Sequence, residues 1–134
     1  MRTKTTKEIG KKGERIAARF LRRAGYRIIA KNRHFGKNEL DLIAKNKQYI
    51  VFVEVKTRTA NSLEEFFSRP SDAVDREKRQ RTVRASIAYL KENYTKLCPR
   101  FDVVEVYLDR SRRNRTLKIN HIIDAFSATG AIRH

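Results

Sequence analysis

The chain has 134 residues, 40% of them hydrophobic, which is room for one domain with one core and excludes both a two-domain architecture and global disorder. Its 32 Lys and Arg against 15 Asp and Glu leave a formal charge of +17, so a polyanionic partner is expected. The one cysteine, Cys98, excludes an intramolecular disulfide, no zinc-ligand spacing is present, and no apolar run approaches the ~18 residues of a membrane span. A reducing cytoplasm, no export signal and no membrane are therefore expected.

Residues 1–9 read as a basic tail ahead of a single domain. From Gly10 to Ala24, Ile16, Ala17, Phe20, Leu21 and Ala24 recur at helical spacing, and Gly25 supplies the stop. Tyr26 to Arg33 reads as a strand and His34 to Asn38 as its connection. Leu40 to Ala44 and Tyr49 to Thr57 are β-rich runs joined by Lys45-Asn46-Lys47-Gln48, which predicts a hairpin. Residues 61–72 are polar and contain Pro70, so they read as a mobile loop with one helical turn at most. Asp72 to Tyr94 reads as a second helix with Val83, Ile87, Leu90 and Tyr94 as its apolar stripe. Its first half carries Lys78, Arg79 and Arg81. Phe101 to Leu108 alternates as a strand, Asp109 to Arg115 is a basic turn with Arg110, Arg112, Arg113 and Arg115, and Thr116 to Ile123 returns as a partner strand. The fold class is α/β: an α-β-β-β-α-β core with a mixed central sheet and one appended strand.

The hairpin concentrates the charges that do not fit a core. With Asn46 and Lys47 as the turn, Ile43 opposes Ile50, Asp41 opposes Phe52 and Glu39 opposes Glu54. Leu40, Leu42, Ala44, Val51, Val53 and Val55 then share a wholly apolar face that packs on a helix. The other face carries Ile43, Ile50 and Phe52, then Glu39, Asp41, Glu54 and Lys56 at one end, with Asp41 and Glu54 as diagonal neighbours. A buried ion costs several kcal/mol unless paired, and three acids against one lysine are unbalanced. Two readings stand on hairpin chemistry alone. Mg²⁺ or Mn²⁺, held by Asp41 and Glu54 with waters and phosphate oxygens, would balance the excess; alternatively these are solvated charges on an edge strand.

The strings GKKGERIAARFLRRAGY, NELDLIA, YIVFVEVKTR and RFDVVEV, in this order, resemble the YraN family of small bacterial proteins, over residues 10–108. Within them, Asp41 followed by Glu54-Val55-Lys56 resembles the D…E-x-K signature of restriction-endonuclease-like nucleases, and Glu14 on the first helix resembles the arrangement of archaeal Holliday junction resolvases. Asn38 departs from the pattern, which has Gly there; Asn tolerates positive φ better than other non-glycine residues.

The resemblance implies a metal-dependent endonuclease acting on DNA, including branched DNA. Asp41 and Glu54 would hold Mg²⁺ or Mn²⁺, Lys56 would orient the attacking water or stabilise developing charge, Glu14 would act from the helix, and Glu39 would support them. Lys78, Arg79, Arg81 and the four arginines of the basic turn are the expected nucleic-acid contacts. Glu14 also reads simply as a first-turn acid suited to the helix dipole. His34, His121 and His134 have no partner spacing and read as surface or loop residues, as does Cys98. The rival to an enzyme is a non-catalytic DNA- or RNA-binding module that keeps the fold; peripheral membrane attachment would need outward apolar anchors on the first helix. Cutting two strands at once calls for a homodimer.

Overall fold

The computed structural model describes residues 5–62, 64–65 and 76–128. In chain order the elements are α1 (Thr6–Arg23), β1 (Arg27–Phe35), β2 (Asn38–Lys45), β3 (Tyr49–Ala60), α2 (Arg76–Glu92), β4 (Cys98–Asp109), a 3₁₀ turn (Arg110–Arg112) and β5 (Arg115–Phe126). The five strands form one sheet in the order β1-β2-β3-β4-β5. Only β3 and β4, bridged by α2, run parallel; the other three pairs are antiparallel. This is the expected α-β-β-β-α-β core with an appended strand. No helix among the described residues is long and apolar enough to cross a membrane.

α1 begins four residues earlier than its apolar periodicity suggests, so the supposed tail is helical from Thr6. The reason is local: the Thr5 hydroxyl accepts the Glu8 backbone N–H at 3.1 Å and itself lies 3.3 Å from the Glu8 carboxylate, pairing cap and third helical residue as a capping box does. Gly25, at φ +98°, turns the chain out of the helix.

Each helix covers one face of the sheet. Ala17, Ala18 and Leu21 of α1 lie over Leu42, Ala44, Val51, Val53, Val104, Val106 and Leu108. Val83, Ala85 and Tyr89 of α2 close over Leu40, Ile43, Ile50, Phe52, Phe101, Val103 and Phe126. Leu40 thus belongs under α2, not on the α1 face with Leu42: beyond Leu42 the paired ladder of β2 and β3 ends, and the side chain turns into the other core. α1 approaches β3 so closely at Gly13 that a Cβ there would stand 1.8 Å from the Thr57 hydroxyl. Only glycine permits that approach, and Glu14 is the next residue.

The hairpin register is two residues away from that of a two-residue turn. Leu42 pairs with Val53, Ile43 with Phe52, Ala44 with Val51 and Lys45 with Ile50. The Asn46 side chain accepts from the N–H groups of Gln48 and Tyr49 at 2.9 and 2.8 Å, and this longer turn moves the strands by an even number. An even slip keeps the paired side chains on their faces, so the predicted clustering survives although the pairing does not.

α2 uses half of the stripe its bulky residues suggest, Val83 in the core and Leu90 packed against it. Thr82, Val83, Ala85, Ser86 and Tyr89 face the sheet, whereas Ile87 is 49% and Tyr94 86% exposed. The buried hydroxyls are satisfied within the helix, Ser86 donating to the Val83 carbonyl at 2.6 Å and Thr82 to that of Lys78 at 3.1 Å, so small polar residues enter the core without orphaned donors. Residues 72–75 of this expected helix lie outside the described residues, as do His134 and most of the expected 61–72 loop. Cys98 is the exposed first residue of β4 and not a loop thiol.

Candidate active site

The carboxylates gather where β2 parts from β3. Asp41 is the first residue past the last β2–β3 pair, and its Oδ2 accepts the Val55 N–H at 2.9 Å. A side chain thus completes a backbone bond the diverging strands no longer supply. Glu54, 3% exposed, lies on the same side of β3, and carrying the register one step further sets Asp41 opposite Glu54 instead of diagonal to it.

Glu14 joins them from α1. It receives a hydrogen bond from the Asn32 side chain and feels the charges of Glu39 and Asp41. Asn32 stands inside β1 at φ +47°, a conformation that Asn adopts more readily than most residues. It was not singled out by the sequence; its only signal is a β-poor residue in a strand. Glu39 itself is exposed, 3.8 Å from the equally exposed His34.

Crowding shows in the acidities. Burial and then the Glu54 charge, with Glu14 adding, push the Asp41 carboxyl up from 3.8 to about 7, against the opposing pull of the Val55 N–H and Lys78. Burial likewise raises Glu14. Between about pH 4 and 7 the folded chain therefore binds more protons at Asp41 than the unfolded chain, and this group's effect is to lower stability as pH rises through that window. Asp41→Asn, which keeps an oxygen for the Val55 N–H, is expected to raise the melting temperature by about 5 °C at pH 8 without added metal and to change it little near pH 4. A pH-independent loss of stability in thermal scans would contradict this.

Lys78, expected as a nucleic-acid contact, has a partner within the protein. Its ammonium lies against the Glu54 carboxylate, 45% exposed at the lysine and 4% at the glutamate, so α2 delivers a cation to the carboxylate end. Lys37, Glu39, Glu54, Lys78, Arg81 and Thr82 line a cavity of about 270 Å³ there. Arg81 also pairs with Glu77 at 3.1 Å. Lys56 lies two residues beyond Glu54 on the same side of β3, opposite Glu105 of β4. Glu105 is a buried acid that sequence reading passed over; it accepts from the Asn120 side chain at 2.8 Å.

The basic turn lies apart from this cluster. Arg110 donates to the Thr59 hydroxyl at 2.5 Å, five residues along β3 from Glu54, or about 17 Å of strand. Arg112 stands 3.9 Å from Asp109, and all four arginines of the turn are exposed.

Asp41 and Glu54 suit a hard divalent cation in donor chemistry, since both offer carboxylate oxygens and Mg²⁺ commonly takes one or two of these with waters and substrate phosphate. Among the described residues no three His, Cys, Asp or Glu converge closely enough to hold a metal ion by themselves. Such an ion would depend on those waters and phosphates, and would compete with Lys78 for Glu54.

A second buried acid has a different environment. Asp102, fully buried on the α1 side, receives two bonds from Arg100 at 2.9 and 2.8 Å, the Asp124 N–H at 2.9 Å, and His121 at 2.7 Å. Arg100 also donates to the Tyr26 hydroxyl at 2.6 Å and lies over the Tyr49 ring. His121 is therefore a nearly buried structural residue, correcting the surface reading. Its partner is nineteen positions away, which spacing along the chain does not reveal.

A model of the uncharacterised protein family UPF0102 matches residues 13–106, the span that holds Glu14, Asp41, Glu54, Lys56 and Lys78. The chain belongs to UPF0102. The resemblance to the YraN family names the same group. A UPF0102 protein of Caldanaerobacter subterraneus is 43% identical over 127 residues, 94% of this chain and 100% of its own. One from Nitratidesulfovibrio vulgaris is 43% identical over 90% of this chain and 84% of its own, and one from Chlorobium phaeobacteroides 42% identical over 90% and 94%. This UPF0102 member thus spans nearly the whole length of its relatives.

Proposed function

We propose that this protein is a Mg²⁺- or Mn²⁺-dependent endonuclease that hydrolyses phosphodiester bonds in DNA, with Asp41 and Glu54 as the metal-holding pair. One observation carries the reading: Glu14, Asp41 and Glu54, from three separate elements, crowd at the parting of β2 and β3, and Asp41 is pushed up to about 7. A fold gains no stability from such repulsion, whereas a phosphate-cleaving site needs it to attract a cation.

A divalent ion held there would polarise a phosphate and acidify a water. Lys56 would stabilise the charge developing on the phosphate, and Glu14, whose raised affinity for a proton suits proton transfer, would act on the water or the leaving oxygen. Lys37, Lys78 and Arg81 around the adjoining cavity would steady the strand through its phosphates. DNA is placed above RNA by the resemblance alone. The described residues of one chain carry one such cluster, so cutting both strands in one event calls for two copies.

The contact of Lys78 with Glu54 favours a second reading, a nucleic-acid-binding module in which that lysine permanently neutralises the site. Incubating the purified protein with linear and branched DNAs in Mg²⁺, Mn²⁺ or EDTA separates the two. Cleavage that needs metal and stops in EDTA is expected; binding without cleavage of any substrate in either metal would establish the module instead.

A further inference from the structure

The outward face of α1 takes no part in the carboxylate site, yet it is strongly cationic. Between Thr6 and Arg23 the helix carries seven Lys or Arg against Glu8 and Glu14. Lys7, Lys11, Arg15, Arg19, Arg22 and Arg23 are exposed, and Lys7, Lys11, Arg15, Arg19 and Arg23 follow one another in steps of four. Like charges at that spacing destabilise a helix. Arg22 and Arg23 suit the helix C-terminus and Lys11 feels the charge of Glu14, but Arg15 and Arg19 serve neither purpose. The row spans about 24 Å. It also continues into the basic turn, because the Lys12 ammonium reaches the Arg113 carbonyl at 3.4 Å.

We propose that the outer face of α1, continued by the turn at Arg110–Arg115, is a docking surface for the phosphate backbone of a nucleic-acid duplex, on the side of the sheet opposite α2. It rests on the reading that the partner is nucleic acid, and not on cleavage. A membrane surface fits poorly, since the apolar arc of α1 is spent on the sheet: Ala17, Ala18 and Leu21 are fully buried, leaving no outward anchor. Single strands are bound largely through stacked aromatic rings, and the one aromatic residue of α1, Phe20, packs edge-on against His121. What remains outside is a row of cations about as long as seven base-pair steps of about 3.4 Å, with backbone phosphates as its complement.

The test is the triple variant Lys7→Gln, Arg15→Gln, Arg19→Gln in the full chain, titrated in EDTA against a labelled duplex of about 20 base pairs over a range of salt concentrations. None of the three belongs to the carboxylate site. The variant should bind at least about tenfold more weakly near 0.1 M salt, with a slope of log affinity against log salt shallower by about 2 to 3, and should melt no lower than the parent. Unchanged affinity and slope in a parent that does bind overturns the docking surface and leaves the endonuclease reading standing. The slope change in a parent that cuts no DNA upholds the surface and removes the enzyme. A parent that binds no duplex overturns both, and a parent that holds phosphatidylserine vesicles near 0.15 M salt more tightly than duplex assigns the surface to lipid and overturns the proposal.

Discussion

Glu54→Gln is expected to abolish metal-dependent DNA cleavage, by a factor of about 10³ or more, while leaving DNA binding and the fold intact. The argument begins with charge. Glu54 is 3% exposed, faces Asp41 across the parted strands and bears against Lys78. Replacing it with the isosteric amide removes one metal-holding oxygen's charge and also the repulsion that helps hold Asp41 near 7. Breaking a buried pair ordinarily costs about 3–5 kcal/mol because a charge is stranded, but Lys78 is 45% exposed and turns to water instead. The variant should therefore melt at or above the parental temperature in EDTA. It should also lose most of the stabilisation that Mg²⁺ or Mn²⁺ gives the parent, since a ligand stabilises only the state that binds it. Binding persists because the cations of α1, α2 and the basic turn are untouched. Calorimetric melting with and without metal, beside a cleavage assay, decides it; a fall of 10 °C or more in EDTA, on the order of what a buried-pair loss would produce, would make Glu54 a structural residue.

Asp102→Asn should do the reverse, destabilising by about 3–5 kcal/mol with little effect on any cleavage per folded molecule. Asp102 is fully buried and Arg100, 8% exposed, has no route to water. The amide would leave the guanidinium without a counter-charge: its oxygen could still accept one of the two Arg100 bonds, but the other would face an N–H₂ group. Burial opposes ionisation of Asp102, but the bonds from His121, Arg100 and the Asp124 N–H win and hold its carboxyl below the usual range. Its contribution is accordingly in place above about pH 4 and lost as pH falls through the lowered folded value. Denaturant titrations of parent and variant should thus differ by the full amount at pH 7 and converge in acid. A variant as stable as the parent at pH 7 would show that the network is not what secures β4 and β5 to α1.

The two acids illustrate what a single chain makes legible. Both stand in apolar strand runs, Glu54 in VFVEVKT and Asp102 in FDVVEV, but the alternation of the second run does not single out Asp102. Nor does it tell which one the fold satisfies. Asp102 meets Arg100 two residues away but also His121 nineteen away, and Arg100 in turn reaches Tyr26 seventy-four positions back; only packing brings these together.

The same division holds for the fold. Strand faces, helix ends and net charge follow from neighbours along the chain: period-two alternation assigned the two sides of β3 before any partner was known, and Gly25 ended α1 as its φ of +98° requires. The hairpin register escaped because one side chain, Asn46, holds a longer turn, while parity, which depends only on the evenness of the slip, survived. The sheet-facing side of α2 was only half legible, Val83 and Leu90 but not Ile87 or Tyr94, because hydroxyls bonded to their own helix can be buried and bulk does not reveal them. Leu40 changed sides where the ladder ends. The sequence by itself determined which residue types lie on which face of β3 and that the chain carries a net charge of +17. Tertiary structure alone decided that Lys78 joins the hairpin pair Asp41 and Glu54 and how Glu14 reaches them, because their approach depends on Gly13 letting α1 settle on Thr57 and on α2 crossing the opposite face, contacts that join residues far apart along the chain.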